Sequence, residues 1–527
     1  MSVRRRALTV VAVVAVALAG SVPAHAARGG DASEKFAGAV TLEGVMRHLR
    51  VLQALGDHHD GTRAAGTPGH DASARYVYTV LKLAGYDVRY QPFDFERFVT
   101  HSPAVFAQTS PEARTYAEGT DYSTAEYSGS GDATGTVVAV DVVQPPAATP
   151  SSTSGCEASD FVNFPGGSIA LLQRGTCDFG LKAENASKAG AAGAIIYNEG
   201  QPGRTDMLGP TLGEYAVTIP VVGVSHALGR ALDGTTVRIR TDVSVETTTT
   251  DNVIAQTRQG RADNVVMLGG HLDSVPAGPG INDNGSGTAA LLETAVQLAR
   301  TRIPVHNRVR FAFWSAEEAG LLGSNHYVGS ATAAERDDIA LYLNFDMVAS
   351  PNYFRGVYDG NGTLGGTAPR PEGSAAIEEL FDSYFAGRRL PYEDTEFSGR
   401  SDYQAFILNG IPAGGLFTGA EGDKTAAQVA RYGGVVGDYD ACYHKACDNL
   451  TGAGQPPVYA DLRAAYGKQL VGNLNTDAFD TSADAIAHAV ATFARSTATV
   501  NGTGSGQRSV HGHGDLAHPG PGHRIAA

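Results

Sequence analysis

Three apolar runs in the second half of the chain each lead into a residue that can hold a metal ion. That repetition limits the fold more than any other feature. Residues 264–270 (NVVMLGG) read as a buried strand that delivers His271. Residues 308–314 (RVRFAFW) run into Glu317 and Glu318, and residues 339–345 (IALYLNF) end at Asp346. Sites in open α/β sheets gather at the carboxyl ends of the strands, so residues placed this way predict such a sheet. Asp283 stands 12 positions after His271 (283 − 271), in a turn rich in Gly and Asn. The apolar stretch 288–300 that follows reads as a helix.

A last candidate, His444, lies in CYHKAC (442–447). Taken singly, these residues are unremarkable: a Glu-Glu pair is common on surfaces, and Asp-Asn-Gly is an ordinary turn. Together they offer only oxygen and nitrogen donors, which suits zinc. The alternation of strands and helices predicts an α/β core, a doubly wound, mostly parallel sheet with helices on both faces. Toward the start, 42–55 and 73–84 read as helices, 66–70 as a loop and 86–95 as a strand. His70, His306 and His326 are assigned no metal role.

Composition sets the outer bounds. A chain of 527 residues exceeds one ordinary core, so two or three domains are expected. Residues 1–26 carry Arg4–Arg6, an apolar run and a small-x-small site at Ala24–Ala26, which reads as a signal peptide. The run is too short to span a membrane comfortably, and no other segment reads as a span. Cleavage removes three arginines and no acids, taking the formal charge from −15 to −18. An acidic surface argues against nucleic acid as a partner. Four cysteines suit an oxidising compartment and allow three pairings. Local spacing favours Cys442–Cys447 and Cys156–Cys177. The expectation is a secreted monomer without a membrane anchor.

The texture changes over 101–245, which is rich in Thr, Val, Ala, Ser and Gly. Its strand–helix–strand passage (169–177, 179–190, 194–198) resembles the protease-associated domain, a small β-rich module. This divides the chain into a leader (1–26), a first segment of the α/β core (27–100), the inserted domain (101–245), the second core segment with the candidate ligands (246–498) and a Gly- and His-rich tail (499–527). His511, His513, His518 and His523 in that tail read as part of a flexible segment rather than a metal site.

The motifs HLDSVPAGPGINDNGSG (271–287), FWSAEEAGLLGS (313–324), YLNFDMVASPN (342–352), GRSDYQAF (399–406), GIPAGGLFTGAEG (410–422) and CYHKACDN (442–449) resemble the secreted co-catalytic di-zinc aminopeptidases, including the leucine-preferring bacterial enzymes. The resemblance covers most of 40–100 and 250–495. It implies two zinc ions joined by Asp283, with His271 and Asp346 completing one site and Glu318 and His444 the other. Glu317 would then be the general base, and Tyr443 a donor to the developing oxyanion. Asp273 would orient His271 from behind. Glu317 and Glu318 could divide their tasks if they lie in an extended segment, where neighbouring side chains point to opposite sides. Tyr403 departs from the family pattern, where histidine is common.

An aminopeptidase must also hold a free α-ammonium, a task for Glu317 and Asp346 by resemblance. Met347 and Phe417 could line a pocket for a large apolar first residue, with Arg400 as another wall. The implied substrates are peptides with a free N-terminus, preferably bearing leucine or a similar residue. The alternative is a zinc carboxypeptidase, dipeptidase or glutaminyl-cyclase-like enzyme on the same scaffold. Such a peptidase would want a cationic clamp for a carboxylate, and Arg400 is the nearby candidate.

Overall fold

Alternation along the buried strands sets the layering. In the computed structural model, which describes residues 32–213 and 215–502, Val266 and Leu268 of the strand Arg261–His271 face one apolar cluster, while Val265 and Met267 face another. Phe311 and Phe313, against Ala312 and Trp314, repeat the split one strand away. Side chains alternate across a strand, so a sheet built from such runs must be covered on both faces.

The contacts divide the chain into two compact units, one holding residues up to Phe95 and from Thr249 onward, the other Glu96–Thr248. In the first unit the strand order is Glu393–Thr395, Gly356–Tyr358, Ala413–Phe417, Ile339–Phe345, Arg261–His271, Asn307–Trp314, then the end of Thr236–Gln256. The four central strands from Ala413–Phe417 to Asn307–Trp314 are parallel. Gly356–Tyr358 and Val253–Gln256 pair antiparallel to them on either side. The expected doubly wound, mostly parallel sheet is therefore present.

Helices Leu42–Asp57, Pro68–Ala84, Gly285–Thr301, Ser374–Gly387 and Thr476–Arg495 bury their apolar stripes in the larger cluster. Leu322–Ser330 and Tyr403–Leu408 cover the opposite face with Tyr327, Val328, Phe406 and Ile407. There Tyr342 stacks on Phe406 at 3.7 Å between ring centroids, beside the fully buried Trp314. Gly269 must lack a side chain, because a Cβ there would lie 2.4 Å from the Tyr342 hydroxyl.

The second unit pairs Gly131–Ala139, Ile169–Gln173, Gly193–Tyr197 and Val221–Val224 in parallel, with Tyr122–Thr124 antiparallel at one edge. Helix Phe179–Lys188 lies between the second and third of these, as the strand–helix–strand reading requires.

Several boundaries differ from expectation, among them the strand expected at 86–95, which runs over Asp87–Ser110. Residues 68–70 form the first turn of Pro68–Ala84 rather than a loop: Thr67 caps it by accepting from the His70 N–H, and Pro68 sits where its missing N–H costs nothing. Ala498–Asn501, where the tail is expected to begin, is a short helix with Val500 buried. The signal peptide, the tail beyond 502 and its four histidines lie outside the described residues. Both disulfides form as the spacing favoured, Cys156–Cys177 and Cys442–Cys447.

Candidate active site

The central strand ends at His271, and the loop from there to Asp283 is shaped from beneath by Arg63. This arginine has no solvent exposure. Its Nε donates to the Pro279 carbonyl at 2.6 Å, its Nη2 to that of Gly280 at 2.7 Å, and its Nη1 to that of Leu272. One planar fork thus satisfies three loop carbonyls. At the far end of the loop Asn284 caps helix Gly285–Thr301 by accepting from the Gly287 N–H, and it also accepts from the Met347 N–H. Its amide donates to the Phe345 carbonyl at 2.9 Å. The turn carrying Asp283 is thereby tied to the strand end carrying Asp346.

Five candidate ligands converge there. Asp283 divides its two oxygens: Oδ1 lies 3.2 Å from His271 Nε2 and Oδ2 lies 3.3 Å from His444 Nε2. Asp346 Oδ1 stands 3.2 Å from His271 Nε2, and Glu318 Oε2 stands 3.0 Å from His444 Nε2. Ser401 donates to the other Asp346 oxygen at 2.7 Å. Glu317 Oε2 is set back, 3.9 Å from His271.

Glu317 and Glu318 are not in an extended segment. Ala316 has φ 55°, and the N–H groups of Gly320 and Leu321 both donate to the Glu317 carbonyl at 2.7 Å, which makes the segment a turn. Asp273 holds it in place: its two carboxylate oxygens accept from the Glu317 and Glu318 N–H groups, each at 3.3 Å. The contact to His271 runs by another route than the one expected of the carboxylate. The Asp273 main-chain carbonyl lies 3.1 Å from His271 Nδ1, while its carboxylate stands 3.8 Å away. Met347 and His444, beside two of the other acids, also have positive φ, 50° and 56°. For residues other than glycine this backbone costs roughly 1–3 kcal/mol each and persists only where the surroundings impose it.

The electrostatics show what the cluster is built to hold. Burial raises the Asp283 carboxyl, but the two imidazoles more than offset it and hold the group below its ordinary value. Burial would lower both histidines, yet the acids, Asp346 at His271 and Glu318 at His444 foremost, push them well above the ordinary imidazole value. Burial, with Asp346, Asp402 and Glu318, pushes Glu317 well up. Burial and Asp283 push Glu318 up to about 7. The buried acids thus draw in positive charge, and Glu318 Oε1 is buried with no hydrogen-bond partner. Three carboxylates and two imidazoles with an idle donor atom fit divalent zinc, which takes such N and O ligands.

The outer residues are more dispersed. Tyr443 is half-buried and stacks on His444 at 3.8 Å; burial and Asp283 push its phenol well up, so it remains a hydrogen-bond donor. Arg400 is engaged by Glu421 at the surface. Met347 is buried, with its backbone tied to Asn284 and Thr418. Phe417 is half-buried, edge-on to Phe354 at 6.1 Å. His306 contacts the Arg495 carbonyl and His326 stacks on Phe93. His70 is buried and pushed down to about 4 by burial and Arg63.

Arg63, Asn284, Ser401 and a buried pair, Asp440 and Asp448, were not singled out from the sequence. Buried charge in a chain segment of otherwise mixed polarity leaves no periodic signal. A further acid group, Asp359, Glu378 and Asp394, includes none of these ligands. Its oxygens are taken up by local donors, among them the N–H groups of Gly362, Thr363 and Leu364 on Asp359 and that of Asn361 on Glu378.

Comparison with known proteins agrees with this geometry. Residues 252–456 match the model of Peptidase family M28, and residues 133–232 match the PA domain. The chain is similar to an aminopeptidase of Pseudomonas aeruginosa, 46% identical over 463 residues, covering 87% of this chain and 82% of that protein. It is 43% identical over 461 residues to a probable leucine aminopeptidase 2 of Aspergillus fumigatus, covering 85% and 83%. Among solved structures it is similar in fold to a zinc aminopeptidase from Bacillus subtilis, with TM-score 0.60 and 22% identity, covering 86% of this chain and 94% of that one.

Proposed function

The chain belongs to peptidase family M28 and is a zinc aminopeptidase with an inserted PA domain, and we propose that it works with two zinc ions. The observation that carries this reading is the division of Asp283, whose two oxygens face two different imidazoles, each with a further carboxylate beside it. His271 and Asp346 would hold one ion and Glu318 and His444 the other, with Asp283 shared between them. Bound there, zinc would acidify a water molecule and polarise the scissile carbonyl.

The chain's own residues supply the rest. Glu317, set back from the ligand atoms, takes the proton of the attacking water and returns it to the leaving amine. Tyr443 donates a hydrogen bond to the carbonyl oxygen as it gains charge. The substrate's α-ammonium rests against Glu317 and Asp346. Asp273 keeps Glu317 and Glu318 in place through their backbone N–H groups. Met347 and Phe417 form the apolar wall for a leucine-like first residue, and Arg400 borders it. Arg400 is the cation that a carboxypeptidase would need free, and its engagement by Glu421 favours the aminopeptidase reading.

Residues 27–100 and 246–498 form the peptidase domain in this reading, and 101–245 the PA domain. The leader at 1–26 and two disulfides support export to the outside of the cell. Among the described residues no helix is long and apolar enough to cross a membrane. The enzyme acts as a monomer on peptides, not on nucleic acid. The test is zinc content by mass spectrometry after dialysis against buffered zinc. Two ions per chain are expected, with activity rising as both bind to chelated enzyme. Full activity at one ion per chain would overturn the two-ion reading.

A further inference from the structure

Behind the turn that carries Asp283 lies a buried polar cluster that the reaction does not use directly: Asn282, Asp440, Asp448, Tyr459 and Asn473, each at most 3% exposed. Its centre is Asp448. Three consecutive backbone N–H groups, those of Ile281, Asn282 and Asp283, donate to three oxygens of this one residue: the main-chain carbonyl at 3.3 Å, Oδ1 at 2.8 Å and Oδ2 at 3.0 Å. Asn473 Nδ2 donates to Asp448 Oδ1 at 2.8 Å and to both Asp440 oxygens at 3.0 and 3.1 Å. Asp440 in turn accepts from the Cys442 N–H at 2.9 Å and from Asn282 Nδ2 at 2.7 Å. The same cluster therefore fixes the turn that presents Asp283 and the start of the disulfide-closed loop that presents His444.

We propose that Asp448 is a positioning residue of the metal centre, whose carboxylate sets Asp283 and the His444 loop in register. The inference rests on the two-ion reading above. Its chemical core is acceptor number. Oδ1 and Oδ2 each receive a backbone N–H, and an aspartate carboxyl offers an acceptor oxygen at both places. An amide at 448 would turn its NH2 group against one of those donors. The ion between Glu318 and His444 depends on the cluster for two of its three ligands, Asp283 and His444. The ion between His271 and Asp346 depends on it for Asp283 alone, since His271 ends a strand and Asp346 is held by Ser401.

The test is zinc affinity, measured by competition with a chelator of known strength, for wild type, Asp448→Asn and the double variant Asp448→Asn with Asn473→Asp. The double variant returns an acid to the cluster but not the two acceptors at 448. In both variants the ion between Glu318 and His444 should bind about 10–100-fold more weakly, and the ion between His271 and Asp346, which shares only Asp283 with the cluster, should weaken less. Unchanged affinities in the single variant would overturn the proposal. So would recovery in the double variant, because an acid elsewhere in the cluster would then suffice. Equal weakening of both ions, with a lower melting temperature of the metal-free protein, would reduce Asp448 to a structural role and overturn it as well. If Asp448→Asn yields no folded protein, Asp440→Asn carries the test, with the same selective loss expected and unchanged affinities refuting it. A wild type that takes up only one ion would instead refute the two-ion reading itself.

Discussion

Replacing Arg63 by lysine should destabilise the protein and weaken its hold on zinc together. The guanidinium reaches the carbonyls of Leu272, Pro279 and Gly280 from one plane, inside a site with no solvent exposure. A lysine ammonium is a single point on a flexible stem and cannot reproduce that fork. Losing two charge-assisted hydrogen bonds at about 1.5 kcal/mol each costs about 3 kcal/mol. Burial lowers Arg63 to about 10 from 12.5, which leaves it charged at neutral pH. The same burial acting on a lysine would push it down toward neutrality and weaken the remaining contact. For a unit of more than 300 residues, about 3 kcal/mol lowers the melting temperature by roughly 4–5 °C. Calorimetry on chelated Arg63→Lys reads this directly. Because the three carbonyls lie between His271 and Asp283, the zinc-induced rise in melting temperature should shrink too. A melting temperature within about 2 °C of wild type, with an undiminished zinc effect, would refute the reasoning.

Glu317→Gln should lower kcat by about 10²–10⁴-fold with zinc content unchanged, the loss expected of a general base. Glu318→Ala should instead lose zinc, seen by metal analysis of the dialysed protein. Burial, with neighbouring Asp394, Asp382 and Asp359, pushes Glu378 up to about 7 from 4.5. A raised folded-state value means its contribution to stability is present below 4.5 and lost as pH rises through about 7. The melting temperature of wild type relative to Glu378→Gln should therefore fall across that interval, and a constant difference would contradict it. Chelation should lower the melting temperature by an amount that grows with the logarithm of free zinc over its dissociation constant, because zinc binds the folded chain preferentially.

The parts of this molecule that could be read from sequence are those that repeat. Strands at 264–270, 308–314 and 339–345 stand out because both faces are apolar, and their ends locate His271, Glu317, Glu318 and Asp346. The cysteines could be paired because the spacings, 21 and 5 residues, are short. What escaped was set by tertiary contact. Nothing in the residues around Ala316 announces a positive φ, so the Glu317–Glu318 segment read as extended when Asp273 bends it into a turn. Arg63 lies more than 200 residues from the carbonyls it satisfies. Asp448 sits one residue past a cysteine, and its three donors come from a loop over 160 residues earlier. Such long-range bonds have no period to detect. The start of helix Pro68–Ala84 was legible in principle, from a Thr cap followed by proline, but glycine and proline together suggested a loop.

The account's central claim is tested most directly by hydrolysis of leucine 4-nitroanilide beside its N-acetylated form, with chelator and with zinc restored. The account predicts cleavage of the free-amine substrate alone, lost on chelation and recovered with zinc. Equal cleavage of both substrates, or activity indifferent to chelation, would contradict it.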